Sequence, residues 1–268
     1  MRVGTSVATL RDMNTPMKPG RVVSDEEWLA ARKELLAQEK EYSRARDRLT
    51  RLRAQMPWRR IAQSYTFDTV NGPRTLAELF DGRSQLIVYH FMFDPSWEEG
   101  CKSCSFIADH YDRAIVHLRH RDVSLVTVSR APLEKLQAFR KRIGWSFPWV
   151  SSHGNTFNAD FHVSFTPEET ASGKAYYNYV EQSFPAPEAP GASVFARGDG
   201  GEIYHTYSCF SRALETFIGA YHWLDLVPKG RDESQLAYGM EWVRHHDRYE
   251  DAAFLDPYKD QPGKHRKR

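Results

Sequence analysis

Trp28, Leu35, Tyr42 and Leu49 recur at seven-residue intervals, with Ala31, Ala45 and Leu52 beside them, in a stretch otherwise crowded with charge. That spacing keeps one face of a helix apolar. Ser24 offers an N-cap, Asp25-Glu26-Glu27 place acids in the first turn, and Pro57 stops the run, so one long charged helix is expected over 24–56. Packing on the protein's own body is the commoner fate of such a stripe; a homo-oligomer contact through the helix is the other. Ahead of it, residues 1–23 carry Thr15-Pro16 and Lys18-Pro19-Gly20 and read as a disordered leader.

From residue 64 the apolar period shortens. Tyr65 to Val70 alternates, Asn71-Gly72 is a hairpin turn signal, and Thr75 to Phe80 is a short helical turn closed by Asp81-Gly82. The continuous apolar run Leu86 to Phe93 predicts a buried strand, and a helix follows from about Cys101, with Cys104, Ile107, Ala108, Tyr111, Ile115 and Leu118 on one face. Val123 to Val128 is a second buried strand and Leu133 to Arg142 a second helix. Residues 151–190, rich in Phe, Tyr and Pro, carry no assignable period. Ser193-Val194-Phe195, the Gly198 to Gly201 turn and Glu202 to Tyr207 then predict an antiparallel hairpin, with a helix over 211–223 after it. Strands alternating with helices imply an α/β sheet covered on both faces.

Composition narrows the function more than the fold. The 268 residues are 41% hydrophobic, enough for a sizeable core, and the net charge of +2 singles out neither a nucleic acid nor an acidic surface. Seven arginines between Arg44 and Arg60 lack the interleaved aromatics of a nucleic-acid platform and read as a solvated helix face. No apolar run approaches the roughly twenty residues of a membrane helix, and the first twenty residues have no secretory pattern, so the expected compartment is cytoplasmic. Three cysteines do not make a secreted disulfide framework.

Two of those cysteines carry the chemistry. Trp97-Glu98-Glu99-Gly100-Cys101-Lys102-Ser103-Cys104 follows directly on the apolar strand. A strand, a short loop and a helix opened by cysteine put the Cys101 thiol at the positive end of a helix dipole, where thiolate is favoured. Cys104 lies within one turn and can attack a mixed disulfide formed at Cys101. Lys102 favours the thiolate; Glu98 and Glu99 oppose it. The competing readings are two inert, partly buried thiols and a zinc site of Cys101, Cys104, Cys209 and a histidine such as His205, though no second Cys-x-x-Cys supports the latter. Cys209 reads as a small core residue, and His110, His117 and His120 form no metal triplet. Tyr89, Trp97, Trp145 and Trp149 are candidates for a substrate groove, with core packing the commoner role.

The order of strand, Cys-x-x-Cys helix, strand, helix, proline loop, hairpin and helix resembles the thioredoxin fold, in its peroxiredoxin-like variant with a central mixed sheet, flanking helices and an added N-terminal long helix. The runs Leu86 to Phe93, Ser129-Arg130-Ala131-Pro132-Leu133, Gly144 to Ser152 and His205-Thr206-Tyr207-Ser208 resemble the bacterial thioredoxin-like family called domain of unknown function 899, over roughly residues 22–250. The resemblance implies a dithiol-disulfide oxidoreductase needing no cofactor and no metal, with Cys101 as nucleophile, Cys104 as resolving thiol and Pro190 in the place of the cis-proline that faces the redox pair. Gly100, Lys102 and Trp97 would support them. Two departures stand out: thioredoxins have Trp where Gly100 stands, and peroxiredoxins have Thr where Glu98 stands.

The expected organisation is therefore a thioredoxin-like domain over 60–228, followed by a C-terminal helical segment and basic tail over 229–268. The expected partner is a protein or small-molecule disulfide or thiol, with no nucleic acid and no membrane. The alternatives are a peroxiredoxin-like thiol peroxidase, in which Cys101 is oxidised to sulfenic acid, and a redox-inactive binding or stress module that keeps only the fold.

Overall fold

The computed structural model describes residues 17–249. The expected basic tail and most of the expected leader fall outside those residues. The chain divides into two compact units after Gln55.

The first unit is helix α1, Asp25–Ala54. Its start follows from side-chain chemistry: Ser24 Oγ accepts from the Glu27 N–H at 3.2 Å while Glu27 accepts from the Ser24 N–H at 3.4 Å, a reciprocal capping box. Three acids in its first turn and Arg51 and Arg53 in its last suit the helix dipole. The seven-residue stripe runs along this helix, none of whose own residues is buried.

The second unit opens with the short strands β1 (Arg59–Arg60), β2 (Thr66–Phe67) and β3 (Arg74–Thr75). β2 and β3 pair about the turn that Asn71-Gly72 predicts, with Gly72 at φ +92°, a conformation that favours glycine. Strand β4 (Gln85–His90) ends three residues before the apolar run does, because Phe91, Met92 and Phe93 already turn into the loop before α2 (Lys102–Tyr111). The expected helical face continues past Tyr111, but the helix breaks and resumes as α3 (Ile115–Arg119). Then come β5 (Val123–Ser129), α4 (Leu133–Ile143) and β6 (Trp149–Ser151). The stretch without a legible period holds α5 (Phe157–Asp160), α6 (Pro167–Ser172) and a small hairpin of β7 (Ala175–Tyr177) and β8 (Val180–Gln182). The predicted hairpin is β9 (Gly191–Arg197) and β10 (Ile203–Phe210). In place of one helix over 211–223 there is a 3-10 segment, Ser211–Phe217, and then α7 (Gly219–Leu224), with Ile218 between them in extended backbone. Residues 229–249, expected to be helical, run as turns with a single 3-10 turn at His246–Arg248.

The main sheet has the order β1-β10-β9-β4-β5-β6. β4, β5 and β6 are parallel, whereas β9 and β10 run antiparallel to their neighbours. Alternation along β4 divides the core. Tyr89 faces one side with Phe91, Cys104, Ile107, Phe139 and Trp149; Leu86 and Val88 face the other with Phe67, Phe80, Phe157 and Phe195. The strand that leads into the Cys-x-x-Cys helix is therefore central, flanked by a parallel and an antiparallel partner, and its C-terminal end is anchored on both faces.

Candidate active site

Cys101 is the N-cap of α2, with extended backbone (φ −56°, ψ 130°) and its N–H held by the Met92 carbonyl at 3.1 Å. The Cys101 carbonyl accepts from the Ser105 N–H and Oγ, both at 2.9 Å, which fixes the first turn. The thiol itself makes no capping hydrogen bond of ordinary geometry. It does face the Cys104 thiol and the backbone N–H groups of Cys104 and Ser103. Hydrogen bonding from the Cys104 thiol, then from those N–H groups, and the charge of Lys102 outweigh burial and bring Cys101 down to about 7. Cys104 moves the other way. It is buried, and burial and the neighbouring Cys101 push its thiol well above the usual range. The Met92 N–H donates to Cys104 Sγ at 3.5 Å, and the Tyr89 hydroxyl lies beside that sulfur without a hydrogen bond of ordinary geometry.

The supporting residues divide into those that reach the site and those that do not. Pro190 lines the same cavity as Cys101 and Cys104, a space of about 220 Å³ completed by Met92, Ile107 and Leu214 among others. Its preceding peptide bond is trans, which corrects the cis geometry that the resemblance implies. The Pro190 carbonyl accepts instead from the Tyr177 hydroxyl at 2.8 Å, and that hydroxyl accepts from the Ser211 N–H at 2.9 Å. Gly100 is explained by space: a Cβ there would meet the Phe91 ring at 2.7 Å, so the bulky residue found here in thioredoxins has no room. Lys102 turns its ammonium to the Glu241 carbonyl at 2.8 Å and acts on Cys101 only through its charge. Trp97 packs at the edge of the core and is not among the cavity's lining residues, and Tyr89, Trp145 and Trp149 are buried. The charge of Glu99 is committed to Arg142 and Arg248.

A layer behind the site escapes sequence reasoning. Arg130, in the loop after β5, donates through Nη2 to Asp94 Oδ2 at 2.6 Å and through Nε to Glu188 Oε1 at 2.5 Å. Asp94 lies in the loop that delivers Cys101, and Glu188 stands two residues before Pro190, so one guanidinium joins both halves of the cavity. Glu188 also accepts from Ser164 Oγ at 2.8 Å, and burial pushes its carboxyl up to about 7 against the pull of Arg130. The run Ser129-Arg130-Ala131-Pro132 was visible, but the two acids lie 36 and 58 residues from Arg130, with no local signal of pairing.

The zinc alternative does not assemble: among the described residues no group of three or more His, Cys, Asp or Glu side chains converges to hold a metal ion. Cys209 is buried on β10. His205 Nε2 is bonded to Ser208 Oγ at 2.7 Å, Ser208 Oγ to Ser193 Oγ at 2.8 Å, and Ser193 Oγ to His90 Nε2 at 2.8 Å. Burial holds these two imidazoles neutral, His90 at about 3 and His205 at about 4. His110 is a structural bridge, from Nδ1 to the Phe106 carbonyl at 2.6 Å and from Nε2 to the Ala220 N–H at 2.9 Å.

A parallel pair whose first strand leads into a Cys-x-x-Cys helix, followed by an antiparallel hairpin with a proline at its head, defines a thioredoxin-like protein. The chain belongs to the family described as bacterial protein of unknown function (DUF899), which matches residues 17–249. Solved structures similar to it include the peroxidoxin BcpB of Mycobacterium tuberculosis (16% identity, 60% of this chain and 96% of that one, TM-score 0.40). Others are a peroxiredoxin Q of Xanthomonas campestris (14%, 60% and 91%, 0.42) and a putative thiol:disulfide interchange protein DsbE of Chlorobium tepidum (13%, 62% and 97%, 0.37). Likeness at that level does not bear on what the site does. No curated protein matches the chain. No helix among the described residues is long and apolar enough to cross a membrane.

Proposed function

We propose that the protein is a thiol-disulfide oxidoreductase. The observation that carries this reading is the asymmetry of the pair: Cys101 is partly exposed and lowered to about 7, whereas Cys104 is buried one turn away and raised. Exchange needs that division of labour, an accessible thiolate to attack and a protonated neighbour that does not compete for the substrate. The Cys101 thiolate attacks one sulfur of a disulfide; that S–S bond breaks and the distal sulfur leaves as thiolate. Cys104 then loses its proton and attacks Cys101 Sγ, and the second substrate thiolate departs. Two electrons have passed to the substrate, and a Cys101–Cys104 disulfide remains for a thiol donor to reduce. A cytoplasmic setting belongs to the same proposal, because a reducing compartment returns the pair to thiols.

Peroxide reduction asks for more. A departing hydroxide needs aligned donors, and the position that carries threonine in peroxiredoxins is the exposed Glu98. Cys101→Ser should abolish reduction of a model disulfide, and Cys104→Ser should accumulate a mixed disulfide at Cys101. Rapid consumption of hydrogen peroxide without disulfide exchange would favour the peroxidase instead, and neither activity would favour a redox-inactive module.

A further inference from the structure

The wall beside Cys101 is built by the far end of the chain. Met240 lines the cavity with Pro190, Leu214 and Ile218, and its backbone sits at φ +65°, in the left-handed region that a side chain rarely adopts. The segment that carries it is tied to the Cys-x-x-Cys loop from several sides. Lys102 Nζ donates to the Glu241 carbonyl at 2.8 Å, and His245 Nε2 bonds the Gly100 carbonyl at 2.9 Å. Arg142 reaches His245 Nδ1 at 2.8 Å and Asp247 at 3.2 Å. Trp242 packs on Phe106 of α2, with ring centroids 5.6 Å apart, and donates to Glu233 at 2.7 Å. These contacts tie residues 233–249, as a strap, to the Cys-x-x-Cys loop and set Met240 in the wall of its cavity.

The space left beside the strap is small and apolar. Its volume of about 220 Å³ lies below the roughly 300–1,000 Å³ of sites that enclose drug-sized ligands. Its charged lining residues, Arg212 and Glu215, pair with each other at 3.4 Å, and Glu215 is paired again by Arg231 at 2.8 Å. Glu215 is thus committed to the two guanidiniums, whereas the Arg212 side chain stays exposed to solvent. A polypeptide disulfide brings two chain segments on either side of its sulfurs, and one of them would have to occupy the place of Met240.

We propose that this site takes small disulfides, and that Met240 is the specificity-determining residue that excludes polypeptide ones. The inference rests on the exchange reading for its chemistry and on the strap for its selectivity, so the two are tested separately. On the full chain, reduction of hydroxyethyl disulfide is compared with reduction of insulin, and alkylation of Cys101 by iodoacetamide with alkylation by a maleimide carrying a polyethylene glycol chain. Wild type should strongly prefer the small member of each pair. Met240→Gly removes the wall side chain and relieves the left-handed strain, and it should raise the large-to-small rate ratio by about tenfold in both pairs. Met240→Asn, shorter and also tolerant of that backbone, provides a second variant should the glycine one fail to fold. Equal wild-type rates with the two disulfides, or a ratio unmoved by both variants, overturns the proposal. The alkylation pair reads the wall alone: a size gap that the variants close supports it even where neither disulfide is reduced, and that failure counts against exchange.

Discussion

Arg130 Nη2 lies 2.6 Å from Asp94 Oδ2 in the loop that delivers Cys101, and the same guanidinium grips Glu188 two residues before Pro190. The two sides of the cavity beside Cys101 are thus registered by one half-buried cation. Arg130→Met leaves Glu188 buried without its counter-charge, and breaking such a pair costs about 3 kcal/mol. The sign of its pH dependence follows from Glu188, whose carboxyl is already raised to about 7 and rises further without Arg130. An unfolded carboxylate ionises near its ordinary value, so stability is lost as pH rises from there through the folded value. Urea unfolding should show the variant losing more stability at pH 8 than at pH 5, with slower Cys101 alkylation kinetics only where the loop has shifted.

The thiolate of Cys101 should titrate near neutrality. Its iodoacetamide reaction should rise with pH to a midpoint near 7, well below that of an ordinary thiol. Because hydrogen bonding from Cys104 is the largest cause of the shift, Cys104→Ala should move the midpoint upward. An unmoved midpoint would assign the shift to the helix end and Lys102 instead.

His90 and His205 predict acid lability. Both are held neutral, at about 3 and about 4, whereas in the unfolded chain they take up protons below the usual imidazole value of 6.5. The unfolded state then binds more protons, so stability falls as pH drops through that window, by up to about 1.4 kcal/mol per pH unit for each ring. His90→Asn, which keeps a partner for Ser193, should flatten the slope of stability against pH by about one proton's worth.

The stripe on α1 predicts self-association. Trp28, Leu35, Tyr42 and Leu49 hold one heptad position of α1, and nothing within the helix covers them. Light scattering should find an assembly that Trp28→Ala with Leu35→Ala shifts toward monomer. A wild-type chain that is monomeric at micromolar concentration would contradict this.

The parts of this molecule that follow local rules were legible in its sequence. The Ser24 cap, the Asn71-Gly72 turn, the β4 and β5 runs and the placing of Cys101 at a helix start all depend on neighbours in the chain. What was not legible depends on distant ones. Phe91 and Phe93 read as strand because they are apolar, yet they are apolar because they pack under the loop on Phe139 and Trp149. The strap beside Cys101 has no periodicity at all, and its position comes from His245 meeting Gly100 across 145 residues. The Pro190 bond was carried over from a resemblance, and this chain holds that loop by Tyr177 and Glu188 with a trans bond.

Intact-mass and peptide mass spectrometry of the full chain, after oxidant and again after a thiol reductant, decides whether Cys101 and Cys104 form a reversible disulfide. A reversible loss of two hydrogens is expected, confined to the peptide that contains Cys101 and Cys104, with Cys209 unchanged and, in Cys104→Ser, a substrate mixed disulfide at Cys101. Oxidation that stops at sulfenic or sulfinic acid on Cys101 without a Cys101–Cys104 bond, or a pair that stays as thiols under oxidant, would contradict it.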